Sequence, residues 1–200
     1  MTYIPGIADE LFIRGEVPMT KQEIRILTLS KARITENSVV ADIGAGTGSI
    51  SIEAAKIAFK GMVYAIEKKA EAIDLIQKNQ EKFSAENLIV MQQEAPSGME
   101  ELPACDAIII GGSGRRLEAI LTAADKKLKL GGWIVLNCIT IQTLASCLQY
   151  MRTHKQYEYD AIQVQVNHLQ PVGAYDMQKA ANPIYIVSCR KVKAGQEGFI

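Results

Sequence analysis

The sequence has no surplus of charge of either sign: 22 basic and 22 acidic side chains among 200 residues cancel to a formal net charge of +0. A neutral chain builds no global field toward nucleic acid or an anionic membrane surface, so electrostatic recognition must come from local groups. Long apolar runs are also missing. None reaches the roughly 18 to 20 residues that a membrane-spanning helix needs, and residues 1–6 lack the basic and apolar segments of a secretory signal. A cytoplasmic protein with neither a membrane nor a nucleic-acid partner is the expectation. Cysteine is scarce, and Cys105, Cys138, Cys147 and Cys189 are scattered without the paired spacing of a zinc or redox site. Small buried apolar roles in a reducing compartment fit them, and no metal site is expected. His154 and His168 are isolated, so neither is assigned a general-base role. No repeat, low-complexity segment or linker interrupts the chain. With 48% hydrophobic residues, it can bury one substantial core, which makes residues 1–200 a single domain.

What is present is an alternation. After an irregular opening, Thr20 and Glu23 stand three apart, as in a capping box, and predict a helix from there to about Arg33. Apolar runs follow at Val39–Ile43, Met62–Ile66, Leu88–Met91, Ala107–Ile110 and Trp133–Leu136, separated by helical patterns over 48–59, 69–84, 114–129 and 140–153. Strands that are apolar throughout are what a parallel sheet covered on both faces requires. Tyr159–Val166 and Pro183–Cys189 come last with no helix between them, as a closing antiparallel pair would. The expected fold is α/β: a doubly wound, Rossmann-like, mostly parallel seven-stranded sheet ending in that pair. Trp133 and the methionines read as core packing.

The most informative stretch is Asp42-Ile43-Gly44-Ala45-Gly46-Thr47-Gly48, where the first expected strand meets its helix. Glycines there let the backbone turn sharply and approach a ligand with no Cβ in the way. The spacing is Gly-x-Gly-x-Gly after an acid, whereas a dinucleotide fingerprint reads Gly-x-Gly-x-x-Gly and seats a pyrophosphate on the helix N-terminus. S-adenosylmethionine has no phosphate, and its ammonium and sulfonium groups favour a nearby carboxylate, which Asp42 supplies. Glu67 closes the second strand about 20 residues on, where an acid accepts ribose hydroxyls. Gln92–Pro96 follows the third strand and would edge the adenine pocket; Glu94 within it has the plainer alternative of a solvated loop acid. A nucleotide-cofactor fold and a purely structural turn are the competing readings of the glycines.

Further segments narrow the choice. Gly6–Ile13, Val17-Pro18-Met19-Thr20-Lys21, Gly111-Gly112-Ser113-Gly114, Gly173–Met177 and Asn182–Ile186 resemble the precorrin-6B carbon-15 methyltransferases (decarboxylating) of cobalamin biosynthesis, over nearly the whole chain. The resemblance implies a class I methyltransferase fold, S-adenosylmethionine as cofactor, a precorrin or cobalt-precorrin tetrapyrrole as substrate, and a homotetramer. Carried over residue by residue, the cofactor contacts fall on Thr20, on Gly44, Ala45, Gly46, Thr47 and Gly48, on Glu67 and on Ala95. Asp42 joins them on the charge argument, and residues 1–20 become an entry segment for cofactor and substrate. Two departures stand out. Glu67 occupies a position where the family often has Asp, with one more methylene of reach, and Arg115 and Arg116 follow Gly-Gly-Ser-Gly where the family tends to have Gly or an acid. Some members are fused to a second methyltransferase; this chain, ending soon after its last expected strand, is expected to be the free-standing form.

In a doubly wound sheet, ligands sit outside the carboxyl ends of the strands where the strand order reverses. That brings Gly44–Gly48 and Gly111–Gly114 together, with methyl donor on the first loop and acceptor near the second. Methyl transfer from a sulfonium is an in-line displacement, so the protein is expected to position the reactants rather than supply a nucleophile. The family's substrate also loses CO2 from an acetate chain, with the macrocycle as electron sink. A carboxylate-rich substrate calls for cations, and Arg14, Lys21, Arg115, Arg116 and Lys179 are the candidates, with Gly112, Ser113 and Asn137 as further pocket residues. Arg115 and Arg116, at the start of an expected helix, face the positive end of its dipole, a placement that wants an anion nearby; solvated charge is the competing reading of either residue alone, and a backbone-satisfying role that of Asn137. The alternatives are an RNA or protein-carboxyl methyltransferase of the same fold and a non-catalytic S-adenosylmethionine-binding subunit. Neutral net charge weighs against RNA, and intact glycines and acids weigh against the second.

Overall fold

A computed structural model describes residues 3–193. Five apolar runs form parallel strands: β1 (Val39–Ile43), β2 (Met62–Glu67), β3 (Leu88–Gln92), β4 (Cys105–Ile110) and β5 (Leu128–Cys138). Helices α1 (Gln22–Lys31), α2 (Ser49–Ile57), α3 (Ala70–Lys82), α4 (Leu117–Lys127) and α5 (Ile141–Thr153) precede, link and follow them. The chain closes with β6 (Tyr157–Val164), β7 (Asn167–Val172), β8 (Tyr175–Ala180) and β9 (Ile184–Lys191). The seven-stranded sheet has the order β3-β2-β1-β4-β5-β9-β6, with β9 antiparallel to both neighbours. No helix among the described residues is long and apolar enough to cross a membrane.

Successive strand residues point to opposite faces, and here each face carries its own core. Val40, Ile109 and Val135 pack with Ile24 and Leu29 of α1 and with Ile50 and Ile52 of α2. Ala41, Ile108, Ile110, Ile134 and Leu136 pack with Leu117, Ile120 and Leu121 of α4 and with Met151 of α5. All four cysteines are buried free thiols. Because β1 lies between β2 and β4, the loops leaving β1 and β4 meet at the carboxyl edge. They meet closely: a Cβ on Gly44 (φ 71°) would stand 2.7 Å from the carbonyl oxygen of Gly112.

Several expectations are corrected. The Thr20–Glu23 capping box does not form; α1 begins at Gln22, with Lys21 as an N-cap residue that makes no side-chain bond. The reason is Arg25, which is fully buried and draws the preceding backbone to itself. Its guanidinium donates to Glu53 Oε1 (2.5 Å), Asp9 Oδ1 (3.1 Å), the Thr20 carbonyl (2.7 Å) and the Ile7 carbonyl. Glu53, equally buried on α2, accepts in addition from Tyr3 Oη (2.8 Å) and the Gly6 (2.6 Å) and Ile7 (3.2 Å) amides. This network straps residues 3–20 against α1 and α2.

Helix α4 begins at Leu117 rather than 114, which leaves Arg115 outside it in a left-handed conformation (φ 68°). Trp133 is only partly buried, with the Arg33 guanidinium 5.9 Å from its ring centre, and Met177 is exposed, so neither is core. Between β6 and β9, a stretch with no expected strand forms the β7–β8 hairpin, whose residues are all exposed and which belongs to no larger sheet.

Candidate active site

The loop from β1 to α2 is a cradle made of backbone. Gly44, Gly46 and Gly48 all adopt positive φ (71°, 57° and 76°), a region that side chains other than glycine seldom occupy. The entry segment lies over this loop: a Cβ on Gly46 would stand 3.2 Å from the Pro18 carbonyl. Asn79 of α3 ties the two together, its Oδ1 accepting from the Ile13 amide (2.8 Å) and its Nδ2 donating to the carbonyls of Ile13 (3.0 Å) and Thr47 (3.3 Å). Thr20, two residues after Pro18, has its carbonyl held by Arg25.

Beneath the loop, Asp42 is 1% exposed. Its Oδ2 accepts from Ser51 Oγ (2.5 Å), whereas Oδ1 is buried with no partner. Burial chiefly pushes its carboxyl up to about 6; the Ser51 hydrogen bond opposes this and the Glu67 charge adds to it. A buried carboxylate oxygen left unmatched costs about 1–3 kcal/mol, so Oδ1 marks a place for a donor or positive charge from outside the chain. The ammonium end of S-adenosylmethionine fits that requirement.

Glu67, at the end of β2, is fixed by three amides: Gly46 N to Oε2 (3.0 Å), and Lys68 N (2.9 Å) and Lys69 N (3.0 Å) to Oε1. A carboxylate has about four acceptor positions, so Oε2 keeps capacity for a hydroxyl donor. It faces a pocket of about 140 Å³ lined by Gly44, Glu67, Ala95, Gly112 and Ser113 among others. Of the expected cofactor residues, this pocket brings together Gly44, Glu67 and Ala95, whereas Thr20, Asp42, Ala45, Gly46, Thr47 and Gly48 do not line it. Lys68, Glu94 and Arg116 also line it, and Arg116 pairs with Glu94. Glu94 is the anion that a cation at the start of α4 calls for, and the pairing turns Arg116 toward the nucleoside side.

Arg115 faces elsewhere. It lines a crevice of about 660 Å³ at the carboxyl ends of β4 and β5, together with Gly112, Ser113, Asn137, Ile139 and Thr143. Asn137 Oδ1 lies 2.9 Å from Thr28 Oγ1, and its Nδ2 is buried without a partner. A larger groove of about 890 Å³ runs along the outer side of α4 and shares Arg115 and Arg116. Neither Gly44 nor Glu67 lines that groove.

Three expected cations join neither cavity. Lys21 is exposed and sits 3.6 Å from Asp9 Oδ2. Arg14 is an exposed residue of the entry segment, and Lys179 lies on β8 opposite His168. His168 Nε2 stands 3.9 Å from Glu23, while His154 closes α5 and stacks on Tyr150 at 3.7 Å, so both are structural or surface residues. The residues that sequence reasoning missed are Arg25, Glu53, Ser51 and Thr28. One signal was available: Arg25 follows Ile24, and Glu53 sits between Ile52 and Ala54, placing charge where the helical pattern is apolar.

Comparison with known proteins bears on this arrangement as a whole. Residues 11–191 match the precorrin methyltransferase domain family. A relative from Sulfurisphaera tokodaii, named probable cobalt-precorrin-6B C(15)-methyltransferase (decarboxylating), is 43% identical over 92% of this chain and 96% of its own. The protein of that activity from Salmonella typhimurium is 39% identical over 92% and 95%. The solved precorrin-6y C5,15-methyltransferase of Geobacter metallireducens superposes with a TM-score of 0.89 at 38% identity, covering 94% of this chain and 100% of that one. With the match running from the entry segment through β9, and with the glycine cradle and the Gly111–Gly114 turn inside it, this chain belongs to the precorrin methyltransferase family.

Proposed function

We propose that this chain is an S-adenosylmethionine-dependent methyltransferase that methylates carbon-15 of a precorrin-6B-type tetrapyrrole and releases CO2 from a ring acetate chain, in cobalamin biosynthesis. The observation that carries the reading is similarity over nearly the full length, on both sides, to relatives bearing that name. Cofactor use is supported by the unpartnered Asp42 Oδ1, the free capacity of Glu67 Oε2 and the positive-φ glycines.

When bound, S-adenosylmethionine supplies an electrophilic methyl group on sulfur. The chain's residues hold and orient. Gly44–Gly48 and the overlying Val17–Thr20 segment seat the amino-acid end, Glu67 the ribose, and the Ala95 loop the adenine edge. The Gly111–Gly114 turn, in contact with Gly44, sets the acceptor crevice against the donor cradle, and alignment of that kind is the main catalytic contribution for an in-line displacement. In the crevice, Arg115 supplies a cation for a ring carboxylate, and Leu117, Leu136 and Ile139 present apolar surface that limits water where CO2 departs.

The proposal extends to a cytoplasmic homotetramer. Leu169, Val172, Tyr175 and Met177 on the β7–β8 hairpin are 68%, 53%, 77% and 56% exposed, and apolar residues concentrated on one hairpin favour a protein–protein contact. Light scattering on the eluted protein reads the mass directly.

The test of function is an assay of purified protein with S-adenosylmethionine and a precorrin-6B-type substrate, with and without cobalt. Mass spectrometry is expected to show one methyl gained and one CO2 lost. Methylation without CO2 loss would remove the decarboxylating part, and no reaction by protein that binds the cofactor would return the RNA, protein and non-catalytic alternatives.

A further inference from the structure

Two cavities open on the carboxyl edge of the sheet, and one turn separates them. Among the described residues, only Gly112, Ser113 and Gly114 line both the pocket at Glu67 and the crevice at Asn137. Two of these are glycines. Ser113 therefore carries the one side chain on the wall that the two cavities share.

That wall is held from two sides. The amides of Gly111 and Gly112 donate to the Ile43 carbonyl at the end of β1 (2.9 and 3.4 Å), and the Arg116 amide donates to the Ser113 carbonyl (2.8 Å). Gly114 and Arg115, between the last two, take positive φ (53° and 68°), so residues 113–116 form a tight turn with both central residues left-handed. Ser113 is thus fixed through its backbone. Its side chain is half-buried, and its hydroxyl has no hydrogen-bond partner among the described residues. A serine that merely shaped the turn would spend its hydroxyl on a neighbouring backbone group. Here the hydroxyl is held in place and left unused.

We propose that the Ser113 hydroxyl contacts the acceptor: it donates a hydrogen bond to a carboxylate of the tetrapyrrole and so aligns the carbon to be methylated with the methyl group on sulfur. The inference rests on the reading that the pocket side takes S-adenosylmethionine and the crevice takes the tetrapyrrole. A neutral donor suits this junction. A hydroxyl grips a carboxylate without setting a second positive charge beside the sulfonium, which a lysine or arginine on the shared wall would do. The neighbouring cations are placed accordingly: Arg116 pairs with Glu94, and Arg115 lines the crevice but not the pocket.

Loss of this contact differs from loss of Arg115. A cation away from the junction contributes alike to binding of substrate and transition state, so its removal raises KM. A contact at the junction sets alignment, so its removal lowers kcat. The experiment is steady-state methyl transfer to a precorrin-6B-type substrate, with and without cobalt, by wild type, Ser113→Ala and Ser113→Thr. Calorimetric binding of S-adenosylhomocysteine and a melting curve accompany each variant.

Ser113→Ala is expected to lower kcat about 10- to 100-fold, the range of one hydrogen bond to a charged group, with KM and the S-adenosylhomocysteine Kd changed by less than about threefold. Its melting temperature should match that of wild type. Ser113→Thr keeps the hydroxyl and should bring kcat back to within about threefold of wild type. An unchanged kcat, a rise in KM alone, a loss of cofactor affinity, a fall in melting temperature that accompanies the slower rate, or a threonine variant as slow as alanine would overturn the assignment while the methyltransferase reading stood. Wild type that binds S-adenosylhomocysteine yet methylates neither form of the substrate would overturn the tetrapyrrole reading, and this contact with it.

Discussion

The two ends of the carboxyl edge are built in opposite ways. At the donor end, the entry segment, the glycine loop and Glu67 are held by buried or amide-rich polar contacts that exist before any ligand arrives: Arg25 to Glu53, Asn79 to Ile13 and Thr47, and three amides to Glu67. At the acceptor end, the crevice between β4, β5 and α5 is wide, Arg115 is exposed, and the hairpin nearest in sequence to the last strand has no core of its own. A small, invariant cofactor rewards a site organised in advance. A macrocycle bearing many carboxylates asks for room and dispersed cations. On the function proposed above, the difference teaches that positioning of the methyl donor is set by the fold, whereas substrate selection is left to surface groups that tolerate change.

Substitutions break this contrast in order of expected size. The largest effect belongs to the strap: Arg25→Ala strands the buried Glu53 carboxylate and should cost about 3–5 kcal/mol of stability by chemical denaturation, and replacing both residues by methionine should recover only part of that, because the Ile7 and Thr20 carbonyls and the Gly6 and Ile7 amides lose their partners. A double variant as stable as wild type would show that the pair does not anchor the entry segment. Next comes Glu67→Ala, which removes charge-assisted hydrogen bonds worth roughly 1.5–3 kcal/mol and should weaken S-adenosylmethionine binding on the order of 10- to 100-fold by calorimetry. Unchanged affinity would take Glu67 out of the site.

Asp42 sharpens the comparison through pH. Its folded carboxyl, near 6, keeps a proton to higher pH than the unfolded chain does, so its contribution makes stability fall as pH rises from about 4 to about 6. A bound ammonium group favours the ionised form, so cofactor affinity should fall as pH drops through about 6, by at most about tenfold per unit for a single proton. Asp42→Asn should flatten that profile and leave the protein at least as stable above about pH 7. A profile unchanged by the substitution would assign the titration elsewhere. The smallest effect is at the acceptor end: Arg115→Ala should raise the substrate KM a few-fold, in keeping with the roughly 0.2–1 kcal/mol of an exposed charge pair, with cofactor affinity intact. Loss of cofactor affinity there would erase the distinction between the two ends.

The same contrast decided what could be read from the sequence. Strands buried on both faces announce themselves as apolar runs, and β1 was legible to the residue at Val39–Ile43. The turn after β1 was equally plain, because its three positive-φ positions need glycine. The β7–β8 hairpin was not legible: with both faces exposed, Asn167–Val172 and Tyr175–Ala180 have no buried side to impose a period of two. The strap joins residues 28 apart (Arg25 and Glu53), and Glu94 pairs with Arg116 and Lys68 across 22 residues or more, pairings that local periodicity cannot carry. Arg116 was grouped with Arg115 as a substrate cation because neighbours in sequence look alike; both line the groove along α4, but only Arg116 lines the small pocket at Glu67 and only Arg115 the crevice at Asn137.

The most direct test of the division between the ends is a crystal structure with S-adenosylhomocysteine. The ribose should rest on Glu67 Oε2, the amino-acid portion against Gly44–Gly48 beneath Pro18 and Thr20, and the adenine beside Ala95, with the crevice at Arg115 and Asn137 left clear for the acceptor. A nucleoside lodged instead in that crevice, or in the groove along α4, would contradict it.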